Sequence, residues 1–136
     1  MSDLLVDTSV SVALVITGHE SHQATLRALE GRRLGLAGHA WFETYSVLTR
    51  LPSPARRSTA EVHRILERNF PESRFLSGAQ TRELVGRLGS LGIAGGAVYD
   101  ALVGAVASAH GLPLASRDLR AGELYRSLGV TVELLT

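Results

Sequence analysis

The sequence predicts an α/β fold: a three-layer α/β/α sandwich around a central, mainly parallel sheet of about five strands. Three observations predict it. Short aliphatic runs recur along the chain and alternate with stretches of helical pattern, as in sheets whose crossovers are helices. The chain has 136 residues, 45% of them hydrophobic, so it can fill one core, and residues 1–136 are expected to form one domain. No internal repeat, linker or low-complexity tract breaks the pattern.

The elements follow in order. "DLLVD" (3–7) reads as a buried strand, and Thr8 or Ser9 is a cap candidate for a helix reaching about Ile16. "HESHQATLRALEG" (19–31) reads as an amphipathic helix with Ala24, Leu26 and Leu29 inward and Gly31 as its stop. "RLGLAG" (33–38) is a second strand; "HAWFETYSVLTRL" (39–51) is a helix broken by Pro52 and Pro54. The pair Arg56 and Arg57 marks a solvated loop, and "STAEVHRILERNF" (58–70) opens with Ser58 and Thr59 as cap candidates. "SRFLS" (73–77) is expected as a third strand and "GAQTRELVGRLGSLG" (78–92) as a helix weakened by glycine. Residues 95–110 form a further helix closed by Gly111. "LPLAS" (112–116) is a fourth strand, "DLRAGELYRSLG" (118–129) a last helix and "VTVELL" (130–135) a last strand.

Composition excludes several functions. The chain has no cysteine, which removes disulfides, thiolate metal sites and cysteine nucleophiles and fits a cytoplasmic location. No apolar run reaches the roughly 18 residues of a membrane span, and "LLVDTSVSVALVITG" (4–18) carries Asp7 and no basic leader, so it does not read as a signal peptide. The net charge of +1 gives no global attraction to nucleic acid. All 14 basic residues are arginine, which suits bidentate phosphate contacts but equally follows from a GC-rich genome.

Three acids stand apart from this pattern. Asp7 is the only charged residue between Leu4 and Gly18, Glu43 between Leu34 and Thr49, and Asp100 between Leu88 and Ser116. None has a basic residue at helical spacing, whereas Glu30, Glu61, Glu67 and Glu83 do. Burying one unpaired carboxylate costs several kcal/mol. Crowding two at 4–6 Å adds roughly 3–4 kcal/mol of repulsion at an effective dielectric near 20. Either each acid faces solvent alone, or they converge on a divalent cation. Position favours convergence. Asp7 and Asp118 end predicted strands, Glu43 lies one turn into the helix after the second strand, and Asp100 is at the start of the helix before the fourth. All four therefore belong at the carboxyl edge of the sheet, where open α/β folds collect their functional groups. Hard oxygen ligands of this kind select Mg²⁺ or Mn²⁺. Taken singly, Asp7 and Asp118 also read as helix caps and Glu43 as an exposed helix residue; the conjunction carries the argument, since three of the four aspartates fall at these places.

The arrangement resembles the PIN-domain ribonucleases, and within them the VapC-type toxins of toxin–antitoxin pairs. "LLVDTSVSVAL" is similar to the first motif, "WFETYSVLTR" to the second with its helix-borne glutamate, and "VYDALVGAVASAHGLPLASRD" to the third and fourth. The resemblance covers essentially the whole chain. It implies that Asp7, Glu43, Asp100 and Asp118 form an acidic, metal-binding catalytic cluster, with Ser9 and Ser116 as supporting hydroxyls. It implies metal-dependent cleavage of RNA to 5′-phosphate and 3′-hydroxyl products, a cognate antitoxin, and a homodimer. Arg117 and Arg120 are candidates for the RNA backbone. Arg50, seven residues past Glu43 on the same helix face, is a weaker one that also reads as a surface residue. One departure is that "DLRAGEL" holds no aromatic after Asp118 until Tyr125.

Two other readings fit the sequence less well. A receiver-type phosphoacceptor domain would want an early acidic pair and a late-strand lysine, and the chain has no lysine. A PIN-like module that only binds RNA or a partner would not need all four acids. The five histidines read as surface or capping residues. Trp41, Tyr45 and Leu48 share one helix face and read as core.

Overall fold

The computed structural model describes residues 3–136. Among them the chain forms β1 (Asp3–Val6), α1 (Thr8–Val15), α2 (His22–Ala28), β2 (Arg33–Leu36), α3 (His39–Thr49), α4 (Thr59–Asn69), α5 (Gly78–Arg87), α6 (Ala97–His110), β3 (Leu114–Ser116), α7 (Leu119–Ser127) and β4 (Val132–Leu134). The four strands make one parallel sheet in the order β2-β1-β3-β4. Leu4, Leu5 and Val6 of β1 are wholly buried, so helices cover both faces of the sheet, as an all-parallel sheet requires.

The chain leaves β1 for β2 on one side and returns through α3 to α6 to place β3 on the other. β1 and β3 therefore flank the point where the strand order reverses, and their carboxyl ends open the crevice in which α/β sheets hold ligands. Leu34, Leu36, Val103, Val106, Leu114 and Tyr125 join β1 in the core. No described helix is long and apolar enough to cross a membrane.

The structure corrects several expectations. The sheet has four strands, because "SRFLS" makes only one isolated bridge, Ala37 with Arg74. Its backbone runs beside β2, with Glu72 N donating to Leu34 O and Arg74 N to Leu36 O. The N–H of Leu36, however, donates to the side-chain Oγ of Ser73 at 2.9 Å, so a hydroxyl stands where a ladder needs a carbonyl. This close approach depends on Gly35: a Cβ there would lie 2.1 Å from the backbone oxygen of Glu72.

The 19–31 helix contracts to His22–Ala28, with Thr25 and Leu29 buried while Ala24 and Leu26 face outward. The 78–92 helix ends at Arg87, before Gly89 and Gly92. Ser58 caps α4 in a reciprocal capping box with Glu61, as expected. Gly111 closes α6 in the left-handed conformation, φ 63°.

Candidate active site

Asp7 is the residue just after β1, and it caps α1, the role expected of Thr8 or Ser9. The residue is 4% exposed, and its carboxylate accepts four hydrogen bonds. Oδ1 takes Ser9 Oγ at 2.6 Å and Val10 N at 3.3 Å; Oδ2 takes Ser116 Oγ at 2.6 Å and Tyr125 Oη at 2.9 Å. A hydroxyl has one proton to give, and both serines spend it on Asp7. Their lone pairs accept backbone N–H groups from the loop after β3: Arg117 N at 2.8 Å from Ser9 and Asp118 N at 3.1 Å from Ser116. Asp7 is thereby tied through two hydroxyls to the segment that carries Asp118. Burial nevertheless raises the Asp7 pKa above the usual carboxylate value, against the lowering effect of the hydrogen bonds.

Glu43 lies one turn into α3, half-buried, and accepts Thr8 Oγ1 on Oε1 at 3.0 Å. Asp118 caps α7 with one oxygen: Oδ1 accepts both Arg120 N at 3.0 Å and Ala121 N at 3.1 Å. Oδ2 is left over, so capping does not use up this side chain. Asp100, in the first turn of α6, differs from the other three. No protein donor lowers its pKa; burial raises it, followed by the charges of Asp118, Asp7 and Glu43 in that order. The four acids thus share one electrostatic neighbourhood, reached from four separate elements.

As the side chains stand, no three His, Asp or Glu residues among those described close tightly enough on one point to hold an ion. Each acid but Asp100 is turned to local donors. The donor set itself suits a hard divalent cation: Asp100 has no donor, Asp118 Oδ2 and Glu43 Oε2 are free, and all are oxygens. Asp7 has about four lone-pair directions and four donors, so a direct contact there would replace one of them, and the Val10 N–H is the longest.

Of the three arginines, Arg117 directs its guanidinium to Ser21 Oγ at 2.5 Å. Arg120 is exposed, and Arg50 is exposed with Nε 3.3 Å from Ser46 Oγ.

Sequence reasoning missed Tyr125. Its ring is 1% exposed, and burial together with Asp7's charge pushes its hydroxyl pKa far upward, so it remains a proton donor. The legible signal was its spacing: Tyr125 follows Ala121 by four residues on the inward face of α7. Opposite it in α6 is Gly104, where a Cβ would lie 3.0 Å from the Tyr125 ring. Thr8, expected only as a cap, was missed as the donor to Glu43.

The family model described as PIN domain matches residues 4–127. The chain is 48% identical over 132 residues to Ribonuclease VapC40 of Mycobacterium tuberculosis, covering 96% of this chain and 97% of that protein. It is 43% identical over 129 residues to Ribonuclease VapC27 of the same organism, covering 95% and 94%. Among solved structures, VapBC2 from Rickettsia felis, bound to a DNA fragment from its promoter, matches with a TM-score of 0.70 at 17% identity, over 98% of this chain and 99% of that one.

Proposed function

Because this chain belongs to the PIN-domain family, we propose that it is a divalent-metal-dependent endoribonuclease toxin of the VapC type, hydrolysing RNA phosphodiester bonds at the Asp7, Glu43, Asp100 and Asp118 cluster. The observation that carries the reading is Asp100, a half-buried carboxylate with no donor, set among three other acids that raise its pKa. Such a grouping is costly unless positive charge joins it.

Asp100, Asp118 Oδ2 and Asp7 would hold Mg²⁺ or Mn²⁺. The cation would supply Lewis acidity, lowering the pKa of an attacking water and balancing charge on the phosphate. Glu43, steadied by Thr8, keeps one oxygen with which to orient that water and receive its proton. Ser9, Ser116 and Tyr125 fix the Asp7 carboxylate and keep it from turning. Arg117, in the turn after β3, and Arg120, in the first turn of α7, would meet RNA phosphates. The leaving group is the ribose 3′ oxygen, so the products carry a 5′-phosphate and a 3′-hydroxyl.

The VapC-type relatives and the fold shared with a VapBC complex support a cognate antitoxin as partner, and we include a homodimer in the proposal. The test is direct. The purified chain should degrade RNA in Mg²⁺, EDTA should stop it, and Asp100→Asn should abolish it. RNA loss that survives EDTA, or that Asp100→Asn leaves intact, would refute the assignment.

A further inference from the structure

Resting on the ribonuclease reading, we propose that a cavity beside Glu43 is a subsite for one unstacked base of single-stranded RNA, bounded by Phe42 and the stacked pair His39–Tyr99, with Arg50 taking the adjoining phosphate. The cavity measures about 290 Å³, and its lining includes Thr8, His39, Phe42, Glu43, Ser46 and Arg50. Four of these come from α3 and Arg50 is its C-cap, at three- and four-residue steps, so one helix face forms most of the wall.

One exposed ring, Phe42, lines the cavity, and a second, Tyr99, stands behind the lining residue His39. Phe42 is 63% exposed and Tyr99 is 52% exposed, so neither is held by the core. Each stands immediately before one of the clustered acids, Phe42 before Glu43 and Tyr99 before Asp100. The Tyr99 ring stacks on His39 with centroids 5.0 Å apart and planes 24° apart, which ties the start of α6 to the start of α3. Open aromatic faces beside a phosphodiester-cleaving centre are what unpaired bases stack upon.

The polar lining favours RNA over a protein segment. Thr8 and Glu43 make the cavity continuous with the acid cluster through their own hydrogen bond. At the other end, Arg50 uses Nε on Ser46, and its two terminal nitrogens have no partner among the described residues. A ring wall, two hydroxyls and a guanidinium match a base, its sugar and a phosphate. A base paired inside a duplex cannot reach such a wall, so the substrate would be a loop or a single strand.

The test uses binding, not cleavage. An unstructured seven-nucleotide RNA carrying 2-aminopurine at each position in turn is titrated with the full chain in EDTA. Stacking should quench the fluorescence at one or two positions. Phe42→Leu and Tyr99→Leu, both at exposed sites, should each weaken binding about five- to tenfold, and Phe42→Trp should restore it. An abasic nucleotide at the quenched position should weaken wild-type binding equally and leave Phe42→Leu unchanged. Unaltered binding by both leucine variants, or no quenching with the wild type, overturns the subsite. Loss of self-association or of antitoxin binding in Phe42→Leu, with RNA binding kept, also overturns it and assigns the ring to a protein contact. Mg²⁺-dependent cutting with no effect of the leucine variants sinks the subsite alone. Quenching without any Mg²⁺-dependent cutting sinks the ribonuclease reading and leaves the base site standing.

Discussion

Tyr125 donates its hydroxyl proton to Asp7 at 2.9 Å, joining α7 to the end of β1 inside the core. A buried hydrogen bond to a charged group contributes about 1.5–3 kcal/mol. Tyr125→Phe should lower the unfolding free energy in urea by about that amount. It should also raise the Asp7 pKa further, moving the acid limb of any cleavage pH profile upward. A variant as stable as the wild type with an unmoved profile would show that this contact does nothing for Asp7.

The pH dependence of stability has a definite sign. Asp7 and Asp100 have folded pKa values above the ordinary carboxylate value, so folding binds protons at these sites. Their favourable contribution is complete below the unfolded pKa and is lost as pH rises through the folded one. Glu133 behaves oppositely: Arg32, hydrogen-bonded and ion-paired to it at 2.9 Å, lowers its pKa. That contribution is present above the ordinary value and lost as pH falls through the lowered one. Metal-free protein should therefore be most stable at mildly acid pH and weaken toward neutrality, as urea midpoints across pH 4–8 would register.

Asp100→Asn removes a charge that three neighbours oppose. Without added metal at neutral pH, this variant should melt at a higher temperature than the wild type while losing cleavage, a stability gain at a functional site. An Asn variant that melts lower would mean that the ionised carboxylate stabilises the fold unaided.

Adding Mg²⁺ or Mn²⁺ should raise the melting temperature of the wild type, with a larger shift at pH 8 than at pH 5, because ligands must be deprotonated to bind. The shift should vanish in Asp100→Asn. An equal shift in that variant would place any cation elsewhere.

Gly35→Ala tests the fold apart from the chemistry. The added Cβ would meet the Glu72 backbone at 2.1 Å, and backbone cannot swing aside as a side chain can. A destabilisation of about 1–3 kcal/mol or more is expected, read from urea unfolding, with the pH dependence of stability unchanged.

Much of this was legible in the sequence, and the exceptions have causes. Alternating aliphatic runs and helical patterns sufficed for the sheet, because an all-parallel strand is apolar on both faces. "SRFLS" misled because its composition suits a strand, while Ser73 uses its side chain where a ladder needs backbone. In the second helix the pattern places Leu29 inward, as found, but Ala24 and Leu26 face outward and the polar Thr25 takes the core position. Asp7, Glu43 and Asp100 stood out through lack of basic neighbours, a property of local sequence. Tyr125 did not, because its partner is 118 positions away and a tyrosine on an amphipathic helix looks like any other core residue. The capping of α7 by Asp118 was foreseen as an alternative to a place in the cluster; using Oδ1 alone, the side chain has room for both.

Asp7 lies more than a hundred residues before two of the hydroxyls that fix it, Ser116 and Tyr125. A chain ending before α7 would keep the Ser9 contact to Asp7 but lack the buried Tyr125 hydroxyl. On the proposed reading, cleavage would therefore require nearly the whole chain, and a fragment ending before α7 should leave RNA intact.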